Sequence, residues 1–356
     1  MSTTATEMPR GAQLVRYLYA SGPPWARRLP QPGETLILHG DPGSGIDEAL
    51  AWIAEADYSY GPIVTIDPRF VANYAMLVYQ TVIAIATDAY AGEEQDALLA
   101  LRDSRSAPLP ELAATQAEFL KLAASLVSAK EGYERGALAT VVRNLPQGLI
   151  VVPDAHLLTE RWSREALWEL RGVVQEHQRH ALVLGTLTEA RGSLEGPDAP
   201  FLGAGSAIEV GTDRGPERWE RVVLEHGLAV DKEDLYFALS RTHGLAVPTL
   251  SVLLGTGSGA HGVRASLAER VRRAAEQLPT TLQLARVITR YGPSMLHRLA
   301  RGAPPYAAEA ATSRDVSRAL RHLAYNGLVA RVDTRGWRVA NPFVSDALLT
   351  TPRPPV

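Results

Sequence analysis

Cysteine is absent from the chain, which excludes disulfides, thiolate metal sites and a thiol nucleophile. No 18-residue apolar run occurs, so a transmembrane helix is not expected. Met1–Glu7 is polar and no apolar h-region follows a basic start. A signal peptide is therefore not expected either, and the expected location is the cytoplasm. The nine histidines are scattered without H-E-x-x-H or any other ligand spacing, and G-x-S-x-G is missing. Both absences argue against zinc-peptidase and nucleophile-elbow chemistry. From His261 to the end there is no lysine at all, yet there are fifteen arginines against six acidic residues. That segment carries +9 and leaves −12 for the remainder of a chain whose net charge is −3. Such a split suggests one surface made for a polyanion and another that avoids it.

What is present is an ordinary globular composition, 46% hydrophobic and 21% charged over 356 residues, enough for two or three domains with a sizeable core. The chain is organised around Glu34–Leu50. There the apolar run Leu36, Ile37, Leu38 leads into Gly40-Asp-Pro-Gly43-Ser44-Gly45, and an apolar-periodic segment follows. This is the strand–loop–helix layout of a phosphate-binding P-loop, G-x-x-x-x-G-K-[ST]. Gly40 and Gly45 stand at its two glycine positions, Gly43 adds a third flexible point, and Ser44 lies between them. Backbone N–H groups there could curl round an anion at a helix N-terminus. The next two positions break the pattern: Ile46 replaces the phosphate-binding lysine and Asp47 the Mg2+-binding hydroxyl. On these residues alone, a chance Gly-rich turn and a degenerate nucleotide-binding domain both stay open.

The rest of the chain favours the second. Ile63–Asp67, bounded by Gly61-Pro62 and Pro68, suits a buried strand, as do Gly148–Val152, Ala181–Thr186 and Ala207–Val210. Helical patterns separate them: Phe70 to about Asn144, broken near Ser104–Pro110, and Thr159–Gln178, which Thr159 could cap and where Trp162, Leu167, Leu170 and Val174 form an apolar stripe. Strands alternating with helices argue for a parallel α/β sheet with helices on both faces. Residues 216–260 read as a helical lid with a Gly-rich linker, Gly255–Gly262. Helices are expected around Leu282–Arg290, Ser294–Arg301, Pro305–Ala311 and Ser313–Tyr325. The runs Leu328–Val332 and Trp337–Ala340, joined by a turn ending in Gly336, predict a hairpin. Helices followed by a two-stranded wing describe a winged helix-turn-helix. The expected domains are a lead-in over 1–32, the P-loop domain over 33–212, the lid and linker over 213–262 and the winged helix over 263–356.

In this order of elements the chain resembles the AAA+/STAND class of P-loop ATPases, and above all its archaeal-type, origin-recognition-like members, over roughly Gly33 to Leu349. The resemblance implies ATP or ADP as ligand. In the family an hhhhD[DE] segment supplies a Mg2+-binding acid and then a water-polarising one. Leu149–Val152, Pro153, Asp154, Ala155 and His156 permit two registers. Either Ala155 replaces the second acid or Pro153 replaces the first. Thr186 and Thr188 fall where the family has a polar γ-phosphate sensor, and Arg191 near a phosphate-sensing arginine. His243-Gly244-Leu-Ala-Val-Pro248 is similar to the STAND G-x-P signature, with the glycine four positions before the proline instead of two. A charge-assisted hydrogen bond contributes about 1.5–3 kcal/mol, and each 1.36 kcal/mol of barrier is about tenfold in rate. Losing the lysine, the hydroxyl and one carboxylate removes most of the electrostatics of phosphoryl transfer. Hydrolysis by this chain alone is not expected. At most, weak nucleotide binding through Gly40, Gly43, Ser44, Gly45, Asp154 and Thr186 remains, and Mg2+ has no complete ligand set.

The recognition-helix segment exposes Arg314, Ser317, Arg318 and Arg321 opposite an apolar face, while Arg331, Arg335 and Arg338 lie on or beside the wing. Cations there would meet a major groove and its flanking phosphates. The expectation is a non-hydrolysing, DNA-associated subunit or regulator acting with a protein partner such as an active ATPase. Two alternatives stay open: a scaffold whose winged helix docks protein only, and an enzyme whose missing lysine a partner donates.

Overall fold

Leu36, Ile37 and Leu38 lie fully buried in strand β1 (Thr35–Gly40), within a computed structural model of the chain. The residues described are 10–19, 22–23, 25, 29–71, 73–89, 136–143, 145–161, 165–211, 214–255, 262–305, 313–332 and 336–350. With β2 (Ile63–Thr65), β3 (Gly148–Val152), β4 (His180–Leu187) and β5 (Gly205–Glu209), β1 forms a parallel sheet in the order β2-β3-β4-β1-β5. Side chains of a strand alternate between faces, and the core follows that rule. Leu36 and Leu38 pack with Val15, Leu50 and Ile53, whereas Ile37 joins Leu77, Leu138 and Leu170 on the other side. The first layer consists of α1 (Ala12–Leu18) and α2 (Ile46–Ala54). The second includes α3 (Tyr74–Asp88), α4 (Ala137–Arg143), α5 (His156–Arg161) and α6 (Glu165–His177). A short α7 (Gly192–Glu195) follows β4.

Three helices, α8 (Pro216–Glu225), α9 (Lys232–Thr242) and α10 (Ala246–Gly255), form a separate apolar cluster with Leu14 and Leu18 of α1. The last cluster is built from α11 (Val263–Ile288), α12 (Gly292–Ala300), α13 (Ser313–Tyr325), the antiparallel pair β6 (Val329–Arg331) and β7 (Trp337–Val339), and α14 (Pro342–Thr350). No helix among the described residues is long and apolar enough to cross a membrane.

Several elements differ from their expected form. The helix expected over Thr159–Gln178 is two helices, and Thr159 does not cap it; its hydroxyl donates to the His156 carbonyl at 2.6 Å inside α5. The helix expected from Leu282 begins at Val263 and runs through Pro279. Leu267, Ala274, Leu278 and Ala285 keep it continuous by burying one face on both sides of the proline, although the ring removes an intrahelical bond. Asn341 caps α14 by accepting the N–H of Phe343 at 2.9 Å. The break near Ser104–Pro110, Trp162, and most of Gly255–Gly262 and of Pro305–Ala311 lie outside the described residues.

Candidate functional site

The end of β1 delivers Gly40 to a tight turn in which the Ser44 N–H donates to the Asp41 carbonyl at 2.9 Å. Gly43 (φ +82°) and Gly45 (φ +100°) occupy left-handed conformations open to glycine at little cost. A Cβ on Gly40 would collide with Ser44 Oγ and come 2.9 Å from the Val210 carbonyl. Ser44 is 2% exposed and its hydroxyl has no hydrogen-bond partner among the described residues. The backbone of a P-loop is thus formed, with the α2 N-terminus behind it. Its side chains point elsewhere. Ile46 packs against the cluster of Leu36, Leu38 and Leu50, and the Asp47 carboxylate is 68% exposed at the loop's rim.

Opposite the loop, the 3-10 turn Pro68–Phe70 that follows β2 brings in Arg69, which sequence reasoning did not single out. Asp67 orders it twice, accepting the Arg69 backbone N–H at 3.0 Å and pairing with its guanidinium at 2.6 Å. The same guanidinium lies 3.8 Å from both Asp47 and Asp154. Asp154 sits just beyond β3 at φ +46°. Burial raises its carboxyl pKa, and Arg69 opposes that shift. Three carboxylates converge on one arginine, so the cation at this site is supplied by protein. The acid at the end of β2 beside an arginine, Asp67-Pro-Arg69, was the available signal.

Thr186, on β4, is 1% exposed and bonds to His156 Nδ1 at 3.3 Å, while His156 Nε2 lies 3.2 Å from the Tyr325 carbonyl. A carbonyl only accepts, so Nε2 carries the proton and Nδ1 accepts from the Thr186 hydroxyl. Burial pulls the His156 pKa down to about 4, against the bond to Tyr325, and the ring is neutral at pH 7. The Thr186 hydroxyl is therefore engaged with α5 and, through it, with the C-terminal end of α13. Thr188 Oγ1 is buried without a hydrogen-bond partner among the described residues. Arg191 donates to His39 Nε2 at 3.1 Å and pairs with Glu195.

Two further parts of the chain close over the loop. Where α10 begins, the Val247 N–H donates to the Gly43 carbonyl at 3.1 Å, and the Pro248 ring would stand 3.2 Å from a Cβ on Gly43. Asp41, the loop's second residue, pairs with Arg214 at 2.9 Å and with Arg338 of β7 at 3.5 Å. Arg338 was expected on a DNA-facing wing. Instead its side chain is 13% exposed and turned onto the P-loop, and burial lowers its pKa. The missed signal is its cross-strand neighbour Ala330, 1% exposed, which shows that this face of the hairpin is covered. Arg314, Ser317, Arg318 and Arg321 are exposed along one stripe of α13, as expected. Arg331 is also exposed, 4.0 Å from Glu189, and Arg335 lies outside the described residues.

These residues do not fit a Mg2+-bound nucleoside triphosphate. The lysine and hydroxyl positions hold Ile46 and Asp47, Arg69 occupies the carboxylates a metal would need, and the Pro248 ring stands so near Gly43 that a Cβ there would come within 3.2 Å of it. No group of three or more His, Asp or Glu able to hold a metal occurs among the described residues.

A parallel sheet ordered β2-β3-β4-β1-β5, with a P-loop after β1 and an acid beyond β3, is the fold of a Walker-type P-loop ATPase. No protein-family model matches the chain, and no curated protein does. Among solved structures it is similar to a Walker-type ATPase of Pyrococcus abyssi, with TM-score 0.60 and 15% identity over 94% of each chain. The ORC1 protein of Aeropyrum pernix, solved in complex with DNA, aligns at TM-score 0.45 and 16% identity over 96% of this chain and 91% of its own. The Cdc6p protein of Pyrobaculum aerophilum aligns at 0.42 and 15% over 98% and 96%. The fold assignment rests on the first.

Proposed function

We propose that this chain is a non-hydrolysing P-loop protein that binds duplex DNA through α13 and acts beside a protein partner, such as an active ATPase. In this reading the sheet, the α8–α10 lid and the C-terminal helices with their hairpin are three units, the last a winged helix. The observation that carries it is the stripe Arg314, Ser317, Arg318 and Arg321. These positions are three, four and seven apart, all are exposed, and the three arginines have no ion-pair partner among the described residues. Cations left without carboxylates on a helix whose other face is core are suited to phosphate oxygens. The pocket supports the other half of the reading. Arg69 answers the carboxylates, and among the described residues no cation takes the place of the lysine at Ile46 at the head of α2. ATP or ADP would bind weakly at best, and without Mg2+.

Duplex binding measured by fluorescence anisotropy between 50 and 200 mM salt tests this proposal. Wild type should show a steep decline, and Arg314→Ala/Arg318→Ala/Arg321→Ala should flatten the log–log slope by about 2.7, since each phosphate contact contributes roughly 0.9. No binding at low salt, or a triple variant with an unchanged slope, sinks the DNA reading in favour of a protein-docking scaffold. Magnesium-dependent ATP turnover that survives removal of contaminants would overturn the non-hydrolysing half.

A further inference from the structure

In an intact P-loop site, carboxylates face a metal cation and cationic side chains face phosphate. Both halves of that arrangement persist here, but their partners come from the protein. Asp47, Asp67 and Asp154 gather round Arg69. Arg214 and Arg338 gather round Asp41, a residue of the loop itself. The second set joins three parts of the chain that are far apart in sequence: the loop, the segment entering α8, and β7. Arg214 also donates to the Gly211 carbonyl at 3.2 Å, which ties it to the end of β5. Arg338 Nη2 is buried at ion-pair distance from Asp41 but has no hydrogen-bond partner of good geometry among the described residues. Such a guanidinium has donors to spare for an anion with more oxygens than a carboxylate.

We propose that Asp41 is a built-in substitute for ligand phosphate, clamping the C-terminal unit onto the P-loop through Arg214 and Arg338 without nucleotide. The neighbouring contacts are those of a docked unit. Gly327, between α13 and β6, comes against Pro42, His156 Nε2 meets the Tyr325 carbonyl at 3.2 Å, and Arg331 approaches Glu189 at 4.0 Å. The stripe on α13 is thereby held in one orientation relative to the sheet. The inference rests on the reading that this pocket does not use Mg2+–nucleotide.

Because the natural chain has no cysteine, two can be added cleanly for spin labels. Ser59→Cys lies on the exposed α2–β2 connection and Gln283→Cys on the exposed side of α11. Double electron–electron resonance on the full chain should give one narrow distance distribution, unmoved by ATP–Mg2+. Asp41→Asn should broaden it and add a longer-distance population, and sodium tripolyphosphate should narrow it again by taking the place of the carboxylate between Arg214 and Arg338. Arg338→Gln should broaden it too, and tripolyphosphate should not reverse that. Arg338 lies on the hairpin, outside the sheet, so this variant keeps the test informative where Asp41→Asn fails to fold. An unchanged distribution in folded Arg338→Gln overturns the clamp. Broadening in Asp41→Asn that tripolyphosphate leaves in place overturns the phosphate substitution. A wild-type distribution shifted by ATP–Mg2+ overturns the underlying reading of the pocket. Failure of duplex binding moves none of these distances, so the two proposals fail separately.

Discussion

Lowering the pH from 7 to 5 will destabilise the protein by about 2 kcal/mol through His156 alone. The ring is 1% exposed and burial pulls its pKa to about 4, whereas in the unfolded chain it titrates near 6.5. Above 6.5 neither state holds the proton and the effect vanishes. Between 6.5 and 4 the unfolded chain binds a proton that the folded chain refuses, so stability falls as pH falls through this window. At about 1.36 kcal/mol per unit, the full separation is worth about 3 kcal/mol by pH 4, a large share of a typical 5–15 kcal/mol. His180, fully buried and also pulled to about 4 by burial, with Arg179 and His177 adding to the shift, has the same sign. Asp154, whose carboxyl is raised, has the opposite sign; keeping to pH 7–5 limits its part. Urea midpoints across that range test the effect. His156→Asn removes the titration while keeping a donor for the Tyr325 carbonyl, and should lose a substantial part of the slope. A slope identical to wild type would show that His156 is not the group responsible.

The His156 network also marks where sequence reading ends. The β1–loop–α2 unit was legible because Leu36–Leu38 have strand character and the glycines that follow permit the left-handed turn. Strands β3 and β4 stood out as short, fully apolar runs, and α13 as a helix whose charged and apolar faces are cleanly separated. These are local signals. The loop's contacts are not local: Arg214 and Asp41 are 173 positions apart, and Tyr325 is 169 from His156. Arg338 shows the difficulty well. Alternation along β7 puts it on the face opposite Trp337 and Val339, which in an isolated hairpin would be the wet one. That reading fails because the hairpin has a second neighbour, the P-loop, and only the buried Ala330 across the ladder betrays it. Arg69 was missed because a short turn after an edge strand carries no periodicity. Helix α11 runs further than expected because its apolar face continues on both sides of Pro279. Most of the expected long helical stretch after Phe70 lies between residues 90 and 135, outside the described residues.

Restoring the two missing side chains, with Ile46→Lys and Asp47→Ser, will tighten ATP–Mg2+ binding by at least about a hundredfold. The warrant is that the backbone is already correct: Gly43 and Gly45 hold the left-handed turn, and α2 starts directly after Gly45. A lysine at the head of α2 adds a charge-assisted contact of about 1.5–3 kcal/mol. Removing the Asp47 carboxylate takes away a repulsion of similar order and frees part of Arg69. Together these amount to roughly 3 kcal/mol or more, and 1.4 kcal/mol is about tenfold in affinity. The substitution has a cost, since Ile46 is partly buried against Leu36 and Leu50; a lysine stem can lie along the same apolar surface with its head outward. Isothermal titration calorimetry on both proteins decides the matter. Turnover should not follow, because Asp154 remains a single carboxylate at the end of β3 and Arg69 still lies beside it. If the double variant gains no affinity, the missing side chains are not what closes the site. The closure would then lie in the Pro248 ring beside Gly43 and in the Val247 bond to its carbonyl. Widening that contact with Pro248→Ala in the same background should then restore the gain.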